Sequence, residues 1–302
     1  MKVNKLLFFI LKLAISGLSL YIVFSKTDIA RMFSMLKGIG PVIFFLAAFL
    51  YILATLGSTL RWKLLLPEKF TLRRLFSLYM IGAFFSSFLP GVIGGDVVKA
   101  YYLNKDAKKI SLTLASIFMD RYLGYVSLML IGIVAFPFSL RFFGESPYKW
   151  VMPGIFAAFV AGSFLFFGLQ LGRRFRVVSE FYEYFVLLKE RKDVIAKALI
   201  ISLVIQMIGF VAVAILASAL GEDIPLILLF VFLPIVNTIT TLPISISGLG
   251  IREGAFVVLL GLIGISREMA TSLSLAWFFS VFIGSLPGLA AYIRHTNKPR
   301  ID

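Results

Sequence analysis

Three features of this sequence predict an all-α polytopic membrane protein, with about six full spans and two Pro/Gly-broken re-entrant hairpins arranged as an inverted repeat. The first is bulk composition. The 302 residues are 60% hydrophobic and 15% aromatic, with a mean hydropathy of +0.98, which is more apolar surface than a soluble core can hide. The second is a series of apolar runs of about 20 residues, each able to cross about 30 Å of hydrocarbon as a helix. The third is the placement of the basic residues, which decides how those runs are threaded.

The first run, 6–24, follows Lys2 and Lys5 and so imitates a secretory signal. It is too long for one and no A-x-A cleavage pattern follows, so it reads as the first span. The runs 42–60, 112–138, 150–170, 196–220 and 270–293 supply the others. Two more apolar regions, 75–102 and 226–265, are interrupted by proline and glycine. If each is a hairpin that enters and leaves by the same face, most of the 30 Lys and Arg residues fall on one side. The opposite side keeps only Lys26, Arg31, Lys37, Arg141, Lys149 and Arg267, while Arg121 and Arg252 stay at membrane depth. The richer side, with both termini, is then cytoplasmic in the inner or plasma membrane. Reading 75–102 as a full crossing would abolish the bias. The expected organisation is one transmembrane domain over 1–302, with halves at about 1–140 and 150–295. Each half has three crossings and one hairpin, so the second half is inverted.

Composition also excludes several chemistries. A net charge of +15 would suggest nucleic acid in a soluble chain, but here it belongs to the membrane-flanking loops, and no nucleic-acid partner is expected. There is no cysteine, which removes disulfides, thiolate metal sites and cysteine nucleophiles. The one histidine, His295, follows the last span. No metal or other cofactor is expected, and no G-x-x-x-x-G-K-[ST] motif offers ATP-driven work.

The two interruptions share a pattern: "LPGVIGGDVVKAYYL" from Leu89 and "LPISISGLGIREGAFVVLL" from Leu242. Pro90, Gly91, Gly94 and Gly95 in the first, and Pro243, Gly248 and Gly250 in the second, are the predicted helix breaks. Irregular backbone survives in a bilayer only when buried in protein or facing a wet cavity, and the free N–H groups of a helix start attract phosphate. Asp96 sits where an N-cap would, opening a helix from Val97, and Lys99 either attracts an anion or snorkels to the surface. Asp120 and Arg121 lie inside a span; as neighbours they point about 100° apart, so each needs a partner elsewhere, with Asp96 or Glu253 available to Arg121. Glu253 suits a helix start, whereas Arg252 opposes the dipole there and is the stronger anion contact. Asn237 and Gln206 read as interhelical hydrogen-bond formers. Arg61-Trp62-Lys63 reads as an interfacial anchor, and the charged stretch 173–197 as an amphipathic helix on the cytoplasmic membrane surface.

"SSFLPGVIGGDVVKAYYL", "FMDRYLGY" and "LPISISGLGIREGAF", in that order along essentially the whole chain, resemble the transmembrane region of the lysylphosphatidylglycerol synthase family, also called flippase-like membrane proteins. The resemblance implies the lipid-translocating part without the soluble aminoacyl-transfer domain, since the chain stops at Asp302, shortly after the last span. The expected function is a non-enzymatic flippase or scramblase for an anionic phospholipid or polyprenyl phosphate. Asp96, Lys99, Asp120, Arg121, Arg252 and Glu253 are its expected substrate contacts. Two other readings are a membrane-embedded transferase or hydrolase using a carboxylate base, and a non-transporting partner of a cell-envelope enzyme.

Overall fold

The computed structural model describes residues 2–66, 70–89, 93–107, 110–170, 173, 176–242 and 244–296. Pro90, Gly91 and Pro243 therefore lie outside the described residues. The described chain is helical throughout, as the apolar runs predict. In order the helices are α1 (Lys2–Phe24), α2 (Ile29–Gly38), α3 (Pro41–Leu65), α4 (Leu72–Ser86), α5 (Ile93–Ala107) and α6 (Ile110–Ser139); then α7 (Val151–Ser163), α8 (Arg176–Glu190), α9 (Lys192–Ala219), α10 (Leu226–Thr241), α11 (Ile251–Gly261), α12 (Arg267–Ser285) and α13 (Pro287–Thr296).

Local chemistry sets the helix starts. Asp28, Thr71 and Ser266 accept hydrogen bonds from the backbone N–H groups of Arg31, Arg74 and Met269, capping α2, α4 and α12. Pro41 opens α3, where its missing N–H costs nothing. Five stretches among the described residues are long and apolar enough to cross a membrane: Pro41–Leu65, Ser111–Phe142, Pro147–Gly168, Lys192–Ala219 and Arg267–Thr296. The chain turns by 90° between α1 and α2, and α2 is clipped to the start of α12. There the Asp28 N–H donates to Glu268 and the Ser272 hydroxyl to the Met32 carbonyl.

The two interrupted regions are each a helix, a break and a second helix. Their arms have 15, 15, 16 and 11 residues, about 16–24 Å long and shorter than the hydrocarbon layer. α4 packs along α5, and α10 along α11. The broken ends meet: the Ser247 hydroxyl, in the second break, donates to the Ser86 carbonyl at 2.8 Å, where the first break begins. Gly248 and Gly250 adopt φ of +75° and +81°, the left-handed region in which a side chain is strained. A Cβ on Gly250 would also run into α1 at Ser19 and the Leu20 backbone.

α3 and α9 form the central pair of the bundle. Around them the contacts come in matching sets: α6 packs on α9 and α12 on α3, while α6 covers α10 and the α12–α13 unit covers α4. α10 is buried on most of its circumference, from Leu228 through Val236, and anchors the largest apolar cluster. By contrast α7 buries only Met152, so most of its surface is left for lipid. α8 forms where an amphipathic helix is expected, and it is tied to the bundle by Tyr184, whose hydroxyl donates to the Leu65 carbonyl at 2.5 Å.

Candidate functional site

Three helices bring charge into this part of the interior. Arg61 lies one turn before the end of α3, Lys99 on the second turn of α5, Asp96 one turn earlier, and Asp120 and Arg121 about 16 Å along α6. Asp120 is fully buried and accepts from Arg61 Nε at 2.7 Å and from the Tyr79 hydroxyl at 2.9 Å. Arg61 Nη1 also donates to Ser202 on α9 at 2.8 Å, so this one guanidinium ties α3, α6 and α9 together. On the next residue the direction changes: Arg121 Nε and Nη2 donate to the two Asp96 oxygens at 2.9 and 3.1 Å, a forked pair. The 100° step per residue is what separates the two pairs.

Lys99 stands between them. Its ammonium is 3.3 Å from Asp96 Oδ1, 4.0 Å from Asp120 Oδ2, and over the rings of Trp62 and Tyr79 at 4.6 and 4.1 Å. It makes no well-directed hydrogen bond among the described residues, although it is only 1% exposed. It does not snorkel to a surface.

The Asp96–Arg121 pair forms part of the wall shared by two cavities. The larger, about 750 Å³, is lined by Arg61, Asp96 and Arg121, by the rings of Phe118, Tyr122 and Phe159, and by Gln206 and Asn237. The smaller, about 250 Å³, is bounded by α3, α4 and α5 and includes Lys99. Arg121 has 42% of its side chain exposed, against 5% for Arg61 and 1% for Lys99. It is the cation of this group most able to meet a ligand.

Arg252 and Glu253 form a second, separate cluster and line neither cavity. Glu253 is fully buried; its Oε2 accepts the Gly250 N–H at 2.6 Å and its Oε1 accepts from Ser274, closing the start of α11. Arg252 spends Nε and Nη2 on Glu253 Oε1, at 3.1 and 2.7 Å, and lies over the Phe278 ring. The structure therefore brings Asp96, Lys99, Asp120 and Arg121 together and leaves Arg252 and Glu253 apart. Asp96 falls within the first turn of α5, which begins at Ile93, and its carboxylate serves Arg121, so it is not the N-cap. Gly94 and Gly95 likewise lie inside α5; they permit the close approach to Leu89 and to α4.

Arg61 is a correction to the sequence reading. The apolar run ends at Leu60, so Arg61 and Trp62 resemble an interfacial anchor, yet Arg61 is 4% and Trp62 0% exposed. The usable signal was the orphan charge of Asp120, which required a cation from another helix. Tyr79 and Ser202 carried no signal of their own. Gln206 does bridge helices, donating to the Gly124 carbonyl at 3.1 Å.

Fold and site define a class: a polytopic α-helical membrane protein with two broken helical hairpins meeting beside a charged internal cavity. Residues 9–288 match the family described as the lysylphosphatidylglycerol synthase TM region, and the chain belongs to that family. It is also 24% identical over 294 residues to a UPF0104 membrane protein of Methanothermobacter thermautotrophicus, covering 85% of this chain and 86% of that one. No solved structure matches it.

Proposed function

We propose that this protein is a lipid transporter of the flippase or scramblase type, moving a lipid with an anionic head group between leaflets. The observation that carries the reading is Arg121: an arginine with 42% of its side chain exposed, in the wall of an otherwise largely aromatic and apolar cavity, held at rest by Asp96. A lipid phosphate can replace that carboxylate with the same forked geometry, while the rings of Phe118, Tyr122 and Phe159 receive the apolar part. Asp96 is not stranded by the exchange, because Lys99 remains 3.3 Å away. The matched packing around α3 and α9 supports an inverted repeat, the architecture in which two broken segments present one site alternately to two sides. The bias of basic residues supports both termini being cytoplasmic and residence in the inner or plasma membrane. Transport runs on mass action or an ion gradient, and no reaction is catalysed.

The test is purified protein in liposomes carrying acyl-labelled anionic lipid, with leaflet exchange read by dithionite quenching. Wild type is expected to accelerate exchange, and Arg121→Ala to slow it by about tenfold or more, the worth of a lost hydrogen bond to a charged group. Because Asp96 keeps Lys99, the variant is expected to stay folded, with a near-native thermal unfolding midpoint in detergent. Wild-type liposomes no faster than protein-free ones, across phospholipids and polyprenyl phosphates with and without a proton gradient, would sink the reading.

A further inference from the structure

We propose that lipid movement through this site is coupled to one proton carried by Lys99, so that a lipid of single negative charge and a proton cross together and no net charge moves. The proposal rests on the transport reading above and adds what drives it.

Charge makes the first part of the argument. Arg61 and Arg121 are arginines, which keep their protons in proteins, and they are matched one to one by Asp120 and Asp96. Lys99 is the fifth charge of the cluster among the described residues, and a lysine is able to give its proton up. A charge without a counter-ion of its own is costly in a low-dielectric interior, and Lys99 is 1% exposed. The groups around its nitrogen come from four helices: Trp62 on α3, Tyr79 on α4, Asp96 on α5 and Asp120 on α6. Arg61 and Tyr79 already draw on Asp120, and Arg121 holds both oxygens of Asp96. Lys99 Nζ is left with no directed acceptor among the described residues.

Lipid arrival changes that balance. When a phosphate takes the fork of Arg121, the Asp96 carboxylate loses its guanidinium and turns to Lys99, 3.3 Å away. The ammonium then has an acceptor, and the lipid cancels the surplus positive charge. The loaded site therefore holds the Lys99 proton more tightly than the empty site does. Linkage is reciprocal, so the protonated site binds the lipid more tightly by the same factor. The proton also has a route. Lys99 and Asp96 both line the smaller cavity, of about 250 Å³, beside the hydroxyl groups of Tyr51, Thr55, Ser58 and Ser86, a polar space with room for several waters. The proton moves between the Lys99 nitrogen lone pair and water in that cavity, and no bond to the lipid forms or breaks.

The experiment has two arms. In detergent, titration calorimetry with dioctanoyl phosphatidylglycerol, in buffers of different ionisation enthalpy, counts the protons taken up on binding. The expected result is a net uptake of up to one proton per lipid, largest between the pH at which the empty site gives up its proton and the higher pH at which the loaded site does. In proteoliposomes, trace acyl-labelled phosphatidylglycerol starts in the outer leaflet with the outside more acidic than the inside. After subtraction of protein-free liposomes, the label is expected to accumulate in the inner leaflet, approaching about a tenfold excess per pH unit. A potassium diffusion potential at equal pH is expected to leave the label evenly distributed. Lys99→Met is expected to lose the proton uptake and to exchange lipid more slowly, ending at an even distribution under the same pH gradient. The wild-type arms decide the coupling whether or not that variant folds, which thermal unfolding reads. Binding with no proton uptake at any pH, an even distribution by wild type under the pH gradient, or accumulation driven by the electrical potential alone overturns the coupling and leaves transport standing. Proton uptake on binding with no exchange supports the linkage and overturns the transport reading instead. Neither binding nor exchange overturns both. Undiminished proton uptake in folded Lys99→Met overturns the assignment to Lys99.

Discussion

Asp120→Ala is expected to be the most destabilising single substitution in the charged cluster. The carboxylate is fully buried and is the acceptor for both Arg61 Nε and the Tyr79 hydroxyl, with the Lys99 ammonium 4.0 Å away. Its loss leaves a guanidinium that is 4% exposed and a buried phenol without that acceptor. Removing one partner of a buried ion pair costs about 3–5 kcal/mol, much of it the penalty on the charge left behind. The check is thermal unfolding in detergent, with a second variant to separate causes. Asp120→Ala with Arg61→Met removes both charges and is expected to recover a large part of the loss, because replacing a buried pair by apolar groups is often close to neutral. A double variant as unstable as Asp120→Ala alone would show that the ion pair is not the source. Because Arg61 also holds Ser202 on α9, some loss is expected to remain.

Gly95→Val is the second large effect, and it acts through shape. A Cβ at this position would collide with the Gly82 carbonyl and the Ser86 hydroxyl of α4. The obstructing carbonyl is backbone and cannot rotate aside, so α5 must move away from α4 and take Asp96 and Lys99 with it. Overpacking costs about 1–3 kcal/mol in well-packed interiors, and the displaced pair should cost function beyond that. The expected result is a lowered unfolding midpoint together with loss of lipid exchange. Gly209→Ala on α9, where a Cβ meets nothing within 4 Å, is the matched control and should leave both unchanged. Normal exchange by Gly95→Val would mean that the α4–α5 contact does not position the site.

The spans were legible because each is written redundantly: about 20 apolar residues declare a membrane helix whatever their order. The second break was legible for a different reason, since glycine opens left-handed backbone locally, as at Gly248 and Gly250, and needs no partner to do so, whereas Gly94 and Gly95, read in the same way, lie inside α5. The partners of the charges were not legible in the same way. "FMDRYLGY" announces two ionised groups inside a span but not that Asp120 looks toward Arg61 while Arg121 looks toward Asp96. That outcome depends on which helices neighbour α6, a property of the whole bundle. Arg61 was misread because hydropathy ends at Leu60, whereas the helix runs on to Leu65 and carries Arg61 inward. Glu253 and Arg252 show the converse: adjacent residues pair directly because the first turn of α11 lets Glu253 fold back onto Gly250 while Arg252 reaches across to it.

The aromatic seat of Lys99 has a practical side. Trp62 is fully buried, donates its indole N–H to Ser116 at 3.1 Å and has the ammonium 4.6 Å from its ring. Of the three tryptophans in the chain, Trp150 is 67% exposed and Trp277 packs edge-on to Phe256 of α11. The emission of Trp62 is therefore an optical gauge already installed beside the cavity, one that registers the position of a single cation without any attached dye.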